Sequence, residues 1–245
     1  MTPRQKKIIS LTEATGEITI KELAQRLNVS EMTVHRDLEI LQKERYVYKK
    51  RGAAVFVESE DRLKQDFYAE EKRAVGRTAA ALIPDGAAVV FDNSTTALEC
   101  ARFLKSDGKY TFYTTNLETS EILASYTGSV LYCSGGYYFP DSKGFVGAQA
   151  EKFVSDISAD VCFIGASGIT QDGITTPYPM HTALQKAIIR SSKKRILVCD
   201  HSKFGKKAME KIAELSEIDI IVTDSGISEN TLSEYKDKIE IIIAD

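Results

Sequence analysis

The 245-residue sequence lacks several features that define special classes of proteins. No apolar run approaches membrane-spanning length, and the first residues lack the apolar core of a signal peptide. The four cysteines form no C-x-x-C pair and the three histidines have no metal-ligand spacing, which disfavours a disulfide framework and a metal site. The sequence contains no low-complexity segment and no internal repeat. We therefore expect a soluble, cytoplasmic protein without metal or cofactor.

Charge is distributed unevenly along the chain. Residues 1–51 hold 11 lysines and arginines against 7 acidic residues, a net charge of +4, whereas the remainder carries −7. The overall charge of −3 therefore combines a basic head with an acidic body. This asymmetry favours local contact with nucleic acid rather than a protein that coats it. The length fits one small and one medium domain.

The pattern of residues 17–51 predicts a helix-turn-helix followed by a wing. The apolar residues of Lys21–Leu27 fall on one helical face, and Asn28-Val29 follows as a tight turn. Ser30 is placed to N-cap the next helix. That helix carries one apolar stripe, formed by Val34, Leu38 and Leu41. The stripe predicts that only one face of the second helix is buried.

The opposite face of this helix suits a DNA major groove. Its cap and its outward or flanking side chains are Ser30, Met32, Thr33, His35, Arg36 and Lys43. The hairpin that follows is predicted to grip phosphates with the basic run Lys49, Lys50 and Arg51. Residues 1–57 are therefore predicted to be a DNA-binding domain. The plainer alternative is a small helical domain with solvated charges, because helix-turn-helix spacing alone is a weak signal.

After the head, the pattern changes to an alternation of strands and helices. Residues 58–72 are charged and poor in aliphatic side chains, which predicts a linker or hinge helix, or else a continuation of the wing. Residues 73–245 contain seven apolar runs, at Ala87–Phe91, Tyr110–Tyr113, Val130–Cys133, Val161–Ile164, Ile196–Cys199, Ile218–Val222 and Ile239–Ala244. Amphipathic stretches separate most of them. This alternation predicts a mostly parallel sheet covered on both faces. The three cysteines in these runs are expected to be buried free thiols.

Polar and glycine-rich loops follow five of these runs, where parallel sheets bind ligands. The loop residues are Asp92, Asn93, Ser94, Thr95, Thr96, Thr115, Asn116, Gly135, Gly136, Gly165, Ser167, Asp200, His201, Ser202 and Lys203. Helix N-termini, hydroxyls and a lysine suit a phosphate, whereas acidic and amide oxygens accept hydrogen bonds from sugar hydroxyls. The loops, with Lys186 from a later helix, predict one site for a phosphorylated polyol. Ordinary helix caps, glycine turns and a solvated lysine are the alternatives.

With these motifs in this order, the chain resembles the DeoR family of bacterial transcriptional regulators over nearly its full length. In the head, the resemblance rests on Gly16-Glu-Ile-Thr-Ile, Glu22-Leu-Ala, Leu27-Asn-Val-Ser and Thr33-Val-His-Arg-Asp-Leu38. In the second part, it rests on Asp92-Asn-Ser-Thr-Thr96, Thr115-Asn116, Gly135-Gly136, Gly147, Gly165-Ala-Ser-Gly168, Asp172-Gly173, Lys186 and Asp200-His-Ser-Lys-Phe-Gly205. The resemblance implies a winged helix followed by an α/β sensor domain like ribose-5-phosphate isomerase. It also implies a phosphorylated sugar effector and homo-oligomers, dimers or tetramers, on operator DNA.

The sequence departs from the family pattern at three places. His35 stands where the family usually has the first of two arginines, so the loss of a bidentate guanine contact predicts a different operator. Ser94 stands where glycine commonly precedes the paired threonines, and a positive φ there would strain the backbone. In the wing, Ala53 follows Gly52 where a second glycine is frequent.

Two classes of function compete for the second part of the chain. We expect a DNA-binding regulator, a repressor of sugar metabolism genes whose operator affinity changes with its effector, and not an enzyme. The rival is a sugar-phosphate isomerase with a DNA-binding head, which needs a carboxylate base. In the isomerases that this domain resembles, a glutamate precedes the lysine that matches Lys186, whereas Gln185 cannot take a proton. Asp92 and Asp200 remain as candidate bases, and a purely architectural DNA protein would leave the loops unexplained.

Overall fold

The computed structural model describes residues 1–43, 46–50, 52–56 and 68–245, without the side chains of Lys43, Tyr48 and Lys50. The chain divides into two compact units, residues 1–67 and 68–245, and each has its own hydrophobic core. Within the described ranges, none of the helices has the length and apolar character needed to cross a bilayer.

The first unit is a winged helix. Its elements are α1 (Pro3–Thr15), β1 (Glu17–Thr19), α2 (Ile20–Leu27), α3 (Glu31–Lys43), β2 (Val47–Lys50) and β3 (Ala53–Phe56). The strands form an antiparallel sheet in the order β1-β3-β2. The predicted stripe of Val34, Leu38 and Leu41 is completely buried in a core that also contains Ile8 and Leu23. The predicted helix-turn-helix and wing are therefore confirmed.

The turn between α2 and α3 is fixed by local hydrogen bonds. Asn28 adopts the left-handed conformation with φ 53°, which asparagine tolerates better than most residues. The N–H groups of Asn28 and Val29 both donate to the Ala24 carbonyl. Ser30 Oγ accepts a 3.2 Å hydrogen bond from Thr33 N, so this serine caps α3 as its position predicts.

The second unit is an α/β domain. Its first half contains α4 (Ala69–Ala80), β4 (Ala88–Phe91), α5 (Thr95–Arg102), β5 (Thr111–Thr114), α6 (Leu117–Leu123), β6 (Val130–Cys133), β7 (Tyr137–Phe139), β8 (Gly144–Val146) and α7 (Ala148–Ser155). Its second half contains β9 (Ala159–Ile164), β10 (Gly168–Thr170), β11 (Gly173–Thr176), α8 (Pro179–Arg190), β12 (Ser192–Val198), β13 (Glu210–Ala213), β14 (Ile220–Asp224), α9 (Glu229–Tyr235) and β15 (Glu240–Ala244). Short 3₁₀ turns lie at His201–Lys203 and Leu215–Glu217.

A seven-stranded parallel sheet forms the centre of this unit, in the order β15-β14-β12-β9-β4-β5-β6. Each of the seven predicted apolar runs overlaps one of its strands. Side chains alternate between two cores, with Val89 and Phe91 on one face and Val90 on the other. Helices α4 and α5 cover the first face and α7 and α8 cover the second. The predicted parallel sheet covered on both faces is therefore confirmed.

The strand order reverses between β4 and β9. From β4 the chain runs outwards through β5 and β6, and it then returns to β9 and continues through β12, β14 and β15 in the other direction. Parallel sheets bind ligands where such a reversal opens a crevice at the carboxyl ends of the strands. The loops after β4 and β9 begin at Asp92 and Gly165, so both lie at this point.

Several features were not predicted from the sequence. A β7–β8 hairpin and a small antiparallel sheet, β10-β11-β13, lie outside the main sheet. Cys133 is exposed, which corrects the expectation that it is buried, because β6 is an edge strand and most of its side chains face solvent. Cys162 and Cys199 are buried free thiols as expected, and burial raises the pKa of the Cys162 thiol to about 12.

Candidate DNA-binding face and strand-end site

The side of α3 that faces away from the core is polar and accessible. Ser30 and Arg36 are exposed, Met32 is 68% exposed, and Thr33 and His35 are half-buried. In the described part of the chain, the side chains of His35 and Arg36 have no hydrogen-bond or ion-pair partner. This face therefore presents a guanidinium and an imidazole that are available to base edges.

The buried side of α3 is anchored to α1 by a polar contact that the sequence analysis missed. Asp37 is buried, and it accepts hydrogen bonds from Arg4 Nε at 2.5 Å and from Gln5 Nε2 at 3.2 Å. The contact with the Asp37 carboxylate raises the pKa of Arg4. Asp37 lies between two residues of the predicted buried face, and this position was the available signal. The contact fixes the orientation of the helix whose other side is exposed.

The wing is only partly described. The ammonium of Lys49 lies 3.4 Å from a carboxylate oxygen of Glu39 on α3, so the structure pairs it with an acid. Exposed ion pairs of this kind are weak and exchange readily for another anion. Arg51 and the side chains of Lys43 and Lys50, which were also predicted to contact DNA, lie outside the described residues.

Asp92 lies at the carboxyl end of β4, at the β4–β9 switch point, and we call Asp92, Gly165 and Gln185 the floor of the crevice expected there. It is 1% exposed, and it accepts hydrogen bonds from Ser94 N at 2.8 Å, Gly165 N at 2.9 Å and Gln185 Nε2 at 3.1 Å. All three donors are neutral. Burial raises the pKa of the Asp92 carboxyl above its ordinary value, and the hydrogen bonds oppose that shift. The contact between Asp92 and Gly165 ties together the two strand ends on either side of the reversal.

Gln185 on α8 completes this floor. From the sequence, it was considered only as a residue that cannot act as a base. It is buried, and its Nε2 donates to both Asp92 Oδ2 and the Gly165 carbonyl. Its Oε1 is also buried and accepts no hydrogen bond from the described residues. The signal was available, because Gln185 follows Leu184 and lies one turn from His181 and Ile188 on the buried face of α8.

Asp200 borders the crevice from the end of β12. Its Oδ1 accepts hydrogen bonds from the backbone N–H and the hydroxyl of Ser202, which close a tight turn. Its Oδ2 is buried, and no described residue donates to it; the Lys203 ammonium is 3.8 Å away, too far for a hydrogen bond. The Lys203 side chain is 20% exposed, so its ammonium lies beside Asp200 and is still accessible to solvent.

His201 links this loop to the beginning of the domain. Its backbone N–H and its Nδ1 each lie 2.7 Å from an oxygen of the buried Asp224. Its ring contacts the Tyr68 ring edge-to-face, with the ring centroids 5.1 Å apart. Tyr68 is the first residue of the second unit and adopts the left-handed conformation with φ 55°. The predicted site residue His201 is thus in contact with the first residue of the second unit.

The loop after β4 begins helix α5. Ser94 has φ −79° and caps the helix by accepting a hydrogen bond from Ala97 N, so serine in place of the family glycine causes no strain. A side chain at Gly165 would place its Cβ 2.3 Å from Ser94 Cβ, so the two loops touch. Thr95 and Thr96 lie in the first turn, where helix N–H groups attract anions.

The loop after β5 is occupied by structural hydrogen bonds. Asn116 caps α6 by accepting from Thr119 N, and its amide donates to the Ser142 carbonyl. The Thr115 hydroxyl donates to Asn93, whose amide reaches the Phe145 carbonyl at 3.5 Å. For these three predicted site residues, the structure therefore favours the helix-cap and loop-holding alternative.

The remaining predicted residues are not brought to the Asp92 floor. Gly135 and Gly136 have φ of 60° and 117°, as in a glycine turn, and they approach β8 and α7. Lys186 lines a cleft of about 750 Å³ between α7 and α8, because its position on the helix is about 100° from that of Gln185. Ser167 is half-buried beside the β9 end. In the described ranges, no group of three metal-ligating side chains comes together.

Comparison with known proteins gives the same division of the chain. The family model described as the DeoR-like helix-turn-helix domain matches residues 4–60, and the DeoR C-terminal sensor domain matches residues 68–225. The glycerol-3-phosphate regulon repressor of Haemophilus influenzae is 32% identical over 96% of this chain and 95% of its own length. The regulator GolR of Listeria innocua is 30% identical over 96% of this chain and 94% of its own.

More distant similarity exists to solved structures. Ribose 5-phosphate isomerase A of Methanocaldococcus jannaschii is 16% identical with a TM-score of 0.41, and the match covers 56% of this chain and 55% of that chain. The sorbitol operon regulator SorC of Klebsiella pneumoniae is 11% identical with a TM-score of 0.41, and the match covers 82% of this chain and 89% of that chain.

The winged helix and the α/β unit with polar strand ends define a two-domain DNA-binding transcriptional regulator. Both domain models match in order, and together with full-length relatives at 30–32% identity they identify its family. The chain belongs to the DeoR family.

Proposed function

We propose that the chain represses genes of sugar metabolism and that a phosphorylated sugar, bound at the β4–β9 switch point, changes its affinity for operator DNA. The observation that carries the proposal is the hydrogen-bonded floor of Asp92, Gly165 and Gln185 at the start of α5, with the Asp200–Lys203 pair on the loop after the strand next to β9. Such a crevice offers oxygen acceptors at one end, and a cation and helix N–H groups at the other. A sugar monophosphate has hydroxyls and a phosphate in the same arrangement.

Each part of the crevice has a proposed role. The first turn of α5 and Lys203 hold the phosphate, with hydroxyls supplied by Thr95 and Thr96. Asp200 faces the sugar hydroxyls, and Asp92 holds the two loops in place. Two relatives named as glycerol-3-phosphate regulon repressors support control by a small phosphorylated metabolite.

Binding without turnover is favoured over the isomerase alternative. Isomerisation needs a base that takes a proton from carbon. The Gln185 amide cannot act as that base. Asp92 is buried under three hydrogen bonds from neutral donors, which leaves it as a structural acceptor. Similarity to named transcriptional regulators over nearly the whole chain supports the same conclusion.

The regulatory step is proposed to pass through Tyr68. A ligand on the loop of Asp200–Lys203 would move or hold His201, whose ring contacts Tyr68 at the start of the domain. Homo-oligomers, dimers or tetramers, would place two heads on two half-sites, and the effector would change how well the heads match them. A typical coupling of about 1–3 kcal/mol changes DNA affinity about 5- to 150-fold.

A thermal-shift panel of phosphorylated sugars and their unphosphorylated parents tests the effector class. A ligand at about 100 times its Kd stabilises the folded protein by about 2.7 kcal/mol, which shifts Tm measurably. We expect a shift with at least one phosphorylated sugar and none with its parent. The binding ligand is then added to the protein on operator DNA selected from random sequence. Absence of any shift would contradict the proposed effector, whatever the DNA result.

Replacing Arg36 tests the DNA-binding face. Arg36→Ala should cost about 1–3 kcal/mol on the selected operator and relax sequence preference, because it removes a base contact. Fluorescence anisotropy on operator and random DNA measures both affinities. Arg26→Ala is the matched control, since Arg26 is also exposed but pairs with Glu22 on α2. Equal losses on operator and random DNA would assign Arg36 to the phosphate backbone instead.

Replacing Tyr68 tests the proposed coupling. Tyr68→Ala should retain effector affinity and operator affinity but reduce the effect of one on the other from about 5- to 150-fold to less than twofold. Tyr235→Phe is a control for aromatic substitution elsewhere in the same domain, because Tyr235 packs against Phe204 and only its hydroxyl is lost. Undiminished coupling in Tyr68→Ala would exclude this route.

A further inference from the structure

We infer that Gln185 Oε1 and Asp200 Oδ2 form a paired reader of ligand hydroxyls, which makes Gln185 a specificity-determining residue of the effector site. The inference rests on the proposed sugar-phosphate site and extends it. It assigns a ligand class to one wall of the crevice: a group with at least two neighbouring O–H donors, as in a neutral polyol.

The orientation of the Gln185 amide is determined by its neighbours. Its Nε2 donates to Asp92 Oδ2 at 3.1 Å and to the Gly165 carbonyl at 3.2 Å, so both N–H groups are used. The reversed amide would place Oε1 against a carboxylate oxygen and a carbonyl oxygen, where three acceptors would meet without a donor. Oε1 must therefore be the atom on the opposite side.

Five buried side-chain oxygens have no hydrogen-bond partner among the residues that the structure describes, and two of them belong to the proposed site. These two are Gln185 Oε1 and Asp200 Oδ2, on side chains that are 8% and 1% exposed. A buried acceptor without a donor destabilises the protein, so each such acceptor calls for an explanation, and a ligand that donates to it is one. Asp200 Oδ1 is already satisfied by Ser202, whereas Oδ2 accepts no hydrogen bond from a described residue and has only the Lys203 ammonium, 3.8 Å away, as an ionic neighbour.

Asp200 and Gly165, the residue on which the Gln185 amide is held, lie at neighbouring strand ends. Ile164 of β9 pairs with Leu197 of β12, so Gly165 and Asp200 leave adjacent strands at the same edge of the sheet. Gln185 is held on Gly165, which brings its amide to that edge. An acceptor at each of two neighbouring strand ends matches two donors on adjacent carbons of a polyol. The Lys203 ammonium lies 3.8 Å from the Asp200 acceptor, on the side where the phosphate is proposed to bind.

The test uses ligands from which one hydroxyl has been removed. Isothermal titration of the full chain compares ribose 5-phosphate with 2-deoxyribose 5-phosphate, and glucose 6-phosphate with its 2-deoxy and 3-deoxy analogues. Inorganic phosphate serves as the probe of the phosphate end. On the wild-type protein, we expect that removing one hydroxyl from the parent that binds weakens binding at least about tenfold.

Variants then assign the hydroxyl to its acceptor. Gln185→Met keeps the length of the side chain but removes Oε1, and Asp200→Ala removes Oδ2. Each substitution should weaken binding of the parent sugar phosphate at least about tenfold and abolish the preference for the parent over one deoxy analogue. The affinity for inorganic phosphate should stay within about twofold of the wild-type value. Arg190→Met on the same helix, at an exposed position outside the crevice, should change none of these values.

The outcomes separate this inference from the proposed function. Binding of a sugar phosphate with no discrimination against any deoxy analogue would overturn the hydroxyl reader and leave the effector class standing. If Gln185→Met weakened the binding of sugar phosphate and of inorganic phosphate equally, Gln185 would have a purely structural role. That result would also overturn the hydroxyl reader. Should either variant fail to fold, the deoxy series on the wild-type protein decides alone. Failure of every sugar phosphate to bind would overturn both the effector class and the inference.

Discussion

The parallel sheet places Asp92, at its carboxyl edge, in an environment opposite to that of two aspartates at its amino edge. At the amino edge, Asp160 accepts from Ala88 N and pairs with Lys193, and Asp219 accepts from the backbone and side chain of Arg195. At the carboxyl edge, Asp92 is more deeply buried and accepts only from neutral donors.

The pKa shifts record the same difference. A hydrogen bond from Ala88 N lowers the pKa of Asp160, and the Arg195 side chain lowers that of Asp219, whereas burial raises the pKa of Asp92. The amino-edge carboxylates therefore stabilise the fold in their charged form. Burial opposes the charged form of the Asp92 carboxyl, and such an environment is typical of positions kept for binding rather than for folding.

Truncating Asp92 is expected to have the largest effect on this comparison. Asp92→Ala leaves the N–H donors of Ser94, Gly165 and Gln185 without their acceptor, and we expect a loss of about 2–4 kcal/mol in the free energy of unfolding. Urea unfolding measures this loss, and titration of the sugar phosphate that binds the wild type should show that its binding is lost.

Asp219→Ala is the matched substitution at the other edge. It removes a partly exposed pair with Arg195, and after allowance for solvent screening we expect a loss of about 1 kcal/mol with unchanged ligand affinity. If both variants lost ligand binding equally, or if Asp92→Ala were as stable as the wild type, the contrast between the two edges would be wrong.

Most of the fold follows from patterns that are local in the sequence. Apolar runs of four to six residues predicted all seven strands of the main sheet, and the stripe of Val34, Leu38 and Leu41 gave the buried face of α3. The small β10-β11-β13 sheet was missed because its strands have three or four residues, and β11 pairs with β13 across more than thirty intervening residues. Short strands with distant partners leave no periodicity to detect.

The site divides in the same way. The loops at the strand ends were predictable because a polar segment after an apolar run is a local signal. The contact between Gln185 and Asp92 joins residues 93 positions apart, and only the folded chain reveals it. Helical periodicity predicts that Gln185, rather than Lys186, faces the crevice, because Gln185 shares the buried face of α8 with Leu184 and Ile188. The resemblance to the family drew attention to the lysine instead.

The smallest predicted effect is an opposite pH dependence of stability at the two edges. The folded-state pKa of Asp219 lies below its unfolded-state value of about 3.9, so its contribution is present above that value and is lost as the pH falls through the folded pKa. The folded-state pKa of Asp92 is raised, so its contribution is fully present below about 3.9 and is lost as the pH rises through the folded pKa.

Urea unfolding of the wild type, Asp219→Asn and Asp92→Asn between about pH 6 and pH 3 measures these two slopes. As the pH falls, the stability advantage of the wild type over Asp219→Asn should shrink, whereas its stability relative to Asp92→Asn should increase. Asn keeps the shape of each side chain, so the difference between variants isolates the carboxylate from the other acidic groups that titrate in all three proteins. Slopes of the same sign would mean that the hydrogen bonds to Asp92 outweigh its burial, and the two edges would then differ in ligand access but not in the energetics of their charges.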